Sequence, residues 1–169
     1  QFQRQTEFLP RAVYRRLRKP ERHLADGDLA VDETSRLERR ISGHAAGGTM
    51  AYRLACELPG RFDKIAVSGT LMFGFHVGVC QPSAPVSIAV LLGALDDTAP
   101  VEGRESQVSG DESLRMYSLD ETLAFWAERN GCDPEAIQAE AGLTQYSSCS
   151  DDTTVTGYVL EGVGHNWPR

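Results

Sequence analysis

The run VSIAVLLG, Val86 to Gly93, constrains the fold more than any other stretch of the chain. It is nearly continuous in β-branched and aliphatic residues, and a strand with no polar face has to be covered on both sides. Strands of that kind sit near the middle of a parallel sheet whose crossovers are helices. The flanking texture agrees. KIAVSG is a second short strand, and a third is expected around Val155 to Leu160, running into a glycine loop that presents His165. The segment GGTMAYRLACELPGRF reads as a helix that starts at the glycines, carries Met50, Leu54 and Leu58 on one face, and stops at Pro59 and Gly60. SLDETLAFWAERNG opens with a capping box, Ser118 with Glu121, places Leu119, Leu123 and Trp126 at helical spacing, and ends at Gly131. The expected class is therefore α/β with a mostly parallel sheet.

Residues 1 to 40 look different, with two prolines, dense charge and no convincing strand, so a boundary is expected near residue 40. The basic run RAVYRRLRKPER within them reads as a solvated terminal arm rather than a contact for nucleic acid or anionic lipid, because no aromatic ladder interleaves the arginines. The net charge of −7 over 169 residues also argues against a duplex nucleic acid partner, which needs a basic face. No apolar run approaches the ~20 residues that span a bilayer. The chain begins at Gln1 with polar and basic residues, so no secretory leader with an apolar centre is expected within it. A length of 169 residues suits a single core.

There are four cysteines, Cys56, Cys80, Cys132 and Cys149. No pair has C-x-x-C spacing and no histidine completes a zinc pattern, so neither a metal nor another cofactor is expected. Two disulfides are the functional reading, and four buried thiols in a cytosolic protein the competing one. Of the three possible pairings, proximity in the sequence favours Cys56 with Cys80 and Cys132 with Cys149.

The chemistry concentrates in three places. ISGHAAGGTMAYRL, Ile41 to Leu54, has the glycine spacing of a nucleophile elbow, in which the strand-to-helix turn is too tight for side chains at its flanks. Gly43 and Gly47 meet that requirement, yet the central position is Ala45, which has no hydroxyl. In elbow enzymes an acid and then a histidine follow along the chain, each just past a strand. Asp96 follows the strongest strand and His165 the last. Singly, Asp96 is a turn residue in GALDDTAP and His165 a loop histidine; three features in the required order outweigh those readings. His23, His44 and His76 are poorer candidates, lying in the basic arm, beside the elbow and in an apolar stretch.

In combination, SGHAAGGTMAYRLACELPGRF, APVSIAVLLGALDDTAPVEG, WAERNGC with the later YSSC, and LEGVGHNWP make the chain resemble the polyhydroxybutyrate depolymerase and feruloyl esterase-like family of secreted α/β-hydrolases, over about residues 41 to 168. The resemblance implies an α/β-hydrolase-like sheet with flanking helices, a small or polymeric ester as substrate, and an extracellular setting. It also implies roles: Asp96 orients His165, His165 is the general base, the residue at position 45 attacks the ester carbonyl, and the Ala46 N–H stabilises the oxyanion. Two features depart from the pattern. Ala45 stands where the family has serine, which removes the acyl-enzyme and costs on the order of a million-fold in turnover. Residues 1 to 40 do not resemble the region that supplies the early strands and the second oxyanion donor, so those strands are expected to be missing, and SRLERRIS is too charged for a buried central strand.

Neither Ser42 nor Ser68 is expected to replace the missing hydroxyl, because the elbow aims only its central side chain at the histidine. A water activated by His165 would leave a small residual rate of ester hydrolysis. The alternative is a non-catalytic binding protein that uses the former acyl cleft, with Tyr52 and Trp167 as candidate lining residues.

Overall fold

The computed structural model describes residues 38 to 166 apart from Pro59, Ser83, Glu135 and Ala136, and leaves the side chains of 137 to 140 undescribed. The basic arm, His23 and Trp167 lie outside the described residues. The fold is α/β. Six strands form one sheet, β1 (Arg40–His44), β2 (Lys64–Ser68), β3 (Ser87–Gly93), β4 (Ile137–Glu140), β5 (Leu143–Tyr146) and β6 (Val155–Leu160). Their order is β1-β2-β3-β6-β5-β4. The first four in that order are parallel, and β5 and β4 are added antiparallel. Among the described residues three α-helices accompany them: α1 (Ala46–Glu57), the single turn α2 (Gly74–Val77) and α3 (Leu119–Arg129).

β3 lies between β2 and β6, as its composition requires. Ile88, Val90 and Leu92 are buried in the core with Ile65, Val67 and Val155; on the opposite face Leu91 is buried too, whereas Ser87 and Ala89 are only half-buried. Both long helices pack on the same side: Tyr52 of α1 stacks on Trp126 of α3 at 6.3 Å between ring centres, and both side chains are fully buried. The charged segment before the elbow does form a strand, β1. It sits at one end of the sheet among the described residues, where Arg40 is exposed, rather than in a buried centre.

α3 is built as its sequence dictates. The Ser118 hydroxyl accepts from the Glu121 N–H at 3.1 Å, and the Glu121 carboxylate accepts from the Ser118 N–H at 2.8 Å. Leu119, Leu123 and Trp126 are buried, and Gly131 takes φ +59° just beyond the end.

α1 is where the sequence reading errs. Met50 is 51% exposed, Leu58 43% and Leu54 half-buried, so the stripe of larger apolar residues is not the buried face. The buried face is Gly48, Ala51, Tyr52, Ala55 and Cys56. Small residues win because the helix lies close to the sheet. A Cβ on Gly48 would come within 2.5 Å of the Thr70 Cγ2 and 3.3 Å of the Val67 Cβ. The Cys56–Cys80 disulfide fixes the same face.

The second disulfide joins Cys132 to Cys149. In the chain-entropy picture a loop of that size contributes about 3 kcal/mol by restricting the unfolded chain. Two disulfides are compatible with an extracellular protein. Among the described residues, no helix is long and apolar enough to cross a membrane, and no group of three or more His, Cys, Asp or Glu is placed to hold a metal ion.

His76 ties α1 to α2. It is 2% exposed; its Nδ1 accepts from the Phe73 N–H at 3.0 Å, so Nε2 carries the proton and donates to the Thr49 carbonyl at 3.2 Å. Burial pushes its pKa down from 6.5 to about 4, with the Arg53 charge adding to that and the Thr49 bond opposing it. A lowered pKa means that the proton prefers the unfolded chain. The stability that neutral His76 supplies is therefore whole above the unfolded value of 6.5 and is lost as pH falls from there toward 4. The loss reaches about 3 kcal/mol. Urea midpoints measured at about pH 7 and about pH 4.5 are expected to fall accordingly, and His76→Gln to start lower but fall less. Equal falls in the two proteins would remove His76 from the account.

Candidate active site

The site gathers where the four parallel strands end. β1 runs into Ala45, which adopts φ 49° and ψ −119° before α1 begins at Ala46. A positive φ is uncommon for a residue with a Cβ and costs about 1–3 kcal/mol, strain of the kind concentrated at functional turns. Two bonds hold it there: the Ala45 N–H donates to the Ser68 carbonyl at 2.9 Å, and the Ala45 carbonyl accepts from the Thr49 N–H at 3.0 Å.

The glycines around the turn do not share the burden as the spacing predicts. A Cβ on Gly43 would lie 2.2 Å from the Gly47 backbone carbon and oxygen and 2.6 Å from the Gly48 nitrogen. Gly47 has open space, so the second glycine with a steric reason is Gly48, not Gly47. Gly43→Ala is expected to destabilise the chain by about 3 kcal/mol or more, because backbone has to move. Gly47→Ala is expected to be neutral or slightly stabilising, by up to about 1 kcal/mol, since alanine is the better helix former. Chemical denaturation of the two variants checks the contrast; equal losses would mean that the turn is not the tight one described.

The acid and the histidine meet. Asp96 sits in the loop after β3, and His165 in the loop after β6. The two loops are bonded to each other through the Leu95 N–H and the Val163 carbonyl at 2.8 Å. A Cβ on Gly93 would lie 2.2 Å from that same carbonyl, so the approach needs glycine there. The His165 Nδ1 lies 2.8 Å from the Asp96 Oδ2 and 3.1 Å from its Oδ1. The Asp96 side chain is fully buried, and that of His165 is 27% exposed. Burial alone would raise the Asp96 pKa, but the Ala99 N–H, the His165 ring and the Thr98 N–H together hold it below the ordinary value. An ionised carboxylate only accepts, so the His165 proton is on Nδ1 and the Nε2 lone pair is left to act as a base.

Ala45 and His165 both border Gly69. The Ser68–Gly69 strand end bonds to the Ala45 N–H, and a Cβ on Gly69 would lie 3.2 Å from the His165 Cε1. Ala46 and Gly47, which open α1, are exposed, and the first amides of a helix have no partner within it.

His44, which the sequence ranks low, belongs to the same cluster. Its ring centre is 5.0 Å from that of His165, and its Nδ1 is 2.9 Å from the Ser68 Oγ. Strand register is the signal that finds this pair, since His44 and Ser68 are direct partners across β1 and β2. Burial, and then the neighbouring His165, hold the His44 pKa below its ordinary value, so at neutral pH its ring is uncharged. Ser42 is exposed on β1, and His76 serves the fold rather than the site. Tyr52 is fully buried and cannot line a cleft. No family model matches the chain, and no curated protein matches it.

Proposed function

We propose that the chain is a carboxylic-ester hydrolase of the polyhydroxybutyrate depolymerase and feruloyl esterase type, with an α/β-hydrolase-like fold, whose elbow nucleophile has been replaced by Ala45. The observation that carries this reading is the Asp96–His165 pair, held at 2.8 Å in loops beside a strained turn at Ala45. Those are the acid, the base and the nucleophile position of an acyl-transfer site, in the order the elbow mechanism uses along the chain.

In that reading the residue at position 45 would attack the ester carbonyl while His165 takes its proton, and the imidazolium would lean on the ionised Asp96. The Ala46 N–H, at the start of α1, would face the oxyanion. With a methyl group at position 45, turnover through the elbow is lost. Restoring the hydroxyl tests the reading, because it supplies the nucleophile atom that the acid and the base lack. The binding-protein alternative is weakened by the burial of Tyr52, which takes away one of its two lining aromatics. Export and an ester substrate follow from the same reading, and the two disulfides suit the former.

A further inference from the structure

We propose that Ser68 is a second nucleophile, activated by His44, so that the chain forms a covalent acyl adduct at Ser68 although the elbow carries alanine.

The pair is a direct one. The Ser68 Oγ and the His44 Nδ1 are 2.9 Å apart, within the range of a nucleophile and its base. Strand register fixes it: His44 and Ser68 face each other in parallel strands, so their side chains leave the same face of the sheet. That face is the one opposite α1 and α3; along β3 it is half-buried at Ser87 and Ala89 and buried at Leu91, which lies level with Ser68. His44 is itself half-buried, and Ser68 as a whole is 4% exposed.

In the tautomer with its proton on Nε2, His44 offers Nδ1 to the Ser68 hydroxyl. Burial and the His165 ring oppose the imidazolium that forms on His44, and the Asp96 carboxylate beyond that ring favours it. A Cβ at Gly69 would come within 2.5 Å of the His44 Cε1, so the residue after Ser68 has to lack a side chain for the ring to sit there.

The step balances without a further reactant. The Ser68 Oγ bonds to the ester carbonyl carbon as its proton passes to the His44 Nδ1. The carbon–alkoxy bond then breaks, and the alcohol leaves with that proton. Water, deprotonated by the same histidine, later releases the acid and restores the hydroxyl. The proposal takes its substrate class from the ester-hydrolase reading, but the serine–histidine pair does not depend on residue 45.

The test uses the full chain, oxidised at all four cysteines, with a small alkyl fluorophosphonate as probe and peptide mass spectrometry as readout. Attack forms a serine O–P bond and expels fluoride. The unaltered chain is expected to carry the adduct on Ser68. Ser68→Ala should lose it, and His44→Phe should label about a hundred-fold more slowly, as loss of a general base requires. Far-ultraviolet circular dichroism is recorded on each variant, and Ser68→Thr, which keeps a hydroxyl, should label where Ser68→Ala does not.

Ala45→Ser separates this proposal from the elbow reading. Labelling of residue 45 in that variant, with none on Ser68 in the unaltered chain, would overturn the Ser68 proposal and leave the ester-hydrolase reading intact. Labelling of neither residue would count against both. Ester hydrolysis by the unaltered chain without any adduct would also overturn it, since a water activated by His165 leaves no covalent species. An adduct on Ser68 whose rate ignores His44→Phe would remove the assigned base.

Discussion

Replacing Ala45 by serine is expected to restore hydrolysis of a chromogenic short-chain ester through the elbow, a gain of about a million-fold over the residual rate that a triad without its nucleophile retains, or roughly 8 kcal/mol of barrier. The size of the effect reflects what the acid, the base and the turn already provide. The turn is already bent, with residue 45 at φ 49°, so a serine there pays no new conformational cost. The base is in its working tautomer, because Asp96 accepts from Nδ1 at 2.8 Å and leaves Nε2 for the hydroxyl. One oxygen added to the methyl group would complete the row of acid, base and nucleophile. Initial rates of alcohol release, measured with both disulfides intact, check this. An increase of less than about ten-fold in a folded variant would mean that the turn does not aim its side chain at the base.

In the Ala45→Ser background, Asp96→Asn is expected to lower kcat by about ten-thousand-fold. The reason lies in the proton on His165 rather than in charge alone. Asparagine offers an N–H where Asp96 offers only acceptors, which pushes the His165 proton to Nε2 and leaves no lone pair for the serine. The change is nearly isosteric. The Ala99 and Thr98 N–H groups, which donate to the Asp96 Oδ1 at 2.8 and 2.9 Å, keep an oxygen to bond to. The loop should therefore hold its shape while the chemistry fails. KM for the ester is expected to move little. A matching rise in KM, or a loss of secondary structure, would point instead to a collapsed acid loop.

How much of this was legible beforehand depends on what each segment needs from the rest of the chain. The β3 run, β2, β6 and the capping box of α3 carry local signals strong enough to survive any packing, and the structure has them where the residues place them. The buried face of α1 was not legible, because hydrophobic size argues for Met50 and Leu58 while the close approach to Thr70 and Val67 selects Gly48, Ala51 and Ala55. The β4–β5 hairpin has strands of only four residues each, joined at Gly142, too short for a pattern to declare itself.

At the site, chain order picked out Asp96 and His165, and their contact is a property of two strand ends side by side. His44 and Ser68 were each set aside in the sequence, because the contact of a pair 24 residues apart becomes visible only once β1 and β2 are in register. The disulfide partners were readable from proximity, though two other pairings were equally allowed by the chemistry.

The most direct measurement of the central claim is the mass of the Ala45→Ser protein quenched in acid within its first turnovers of an activated ester. The account predicts an acyl group on the peptide that contains residue 45, formed in a burst of about one equivalent of alcohol. It also predicts that the acyl group at residue 45 disappears when His165→Ala is added. A folded, oxidised variant that releases alcohol without a burst and carries no acyl group at residue 45 would contradict the account.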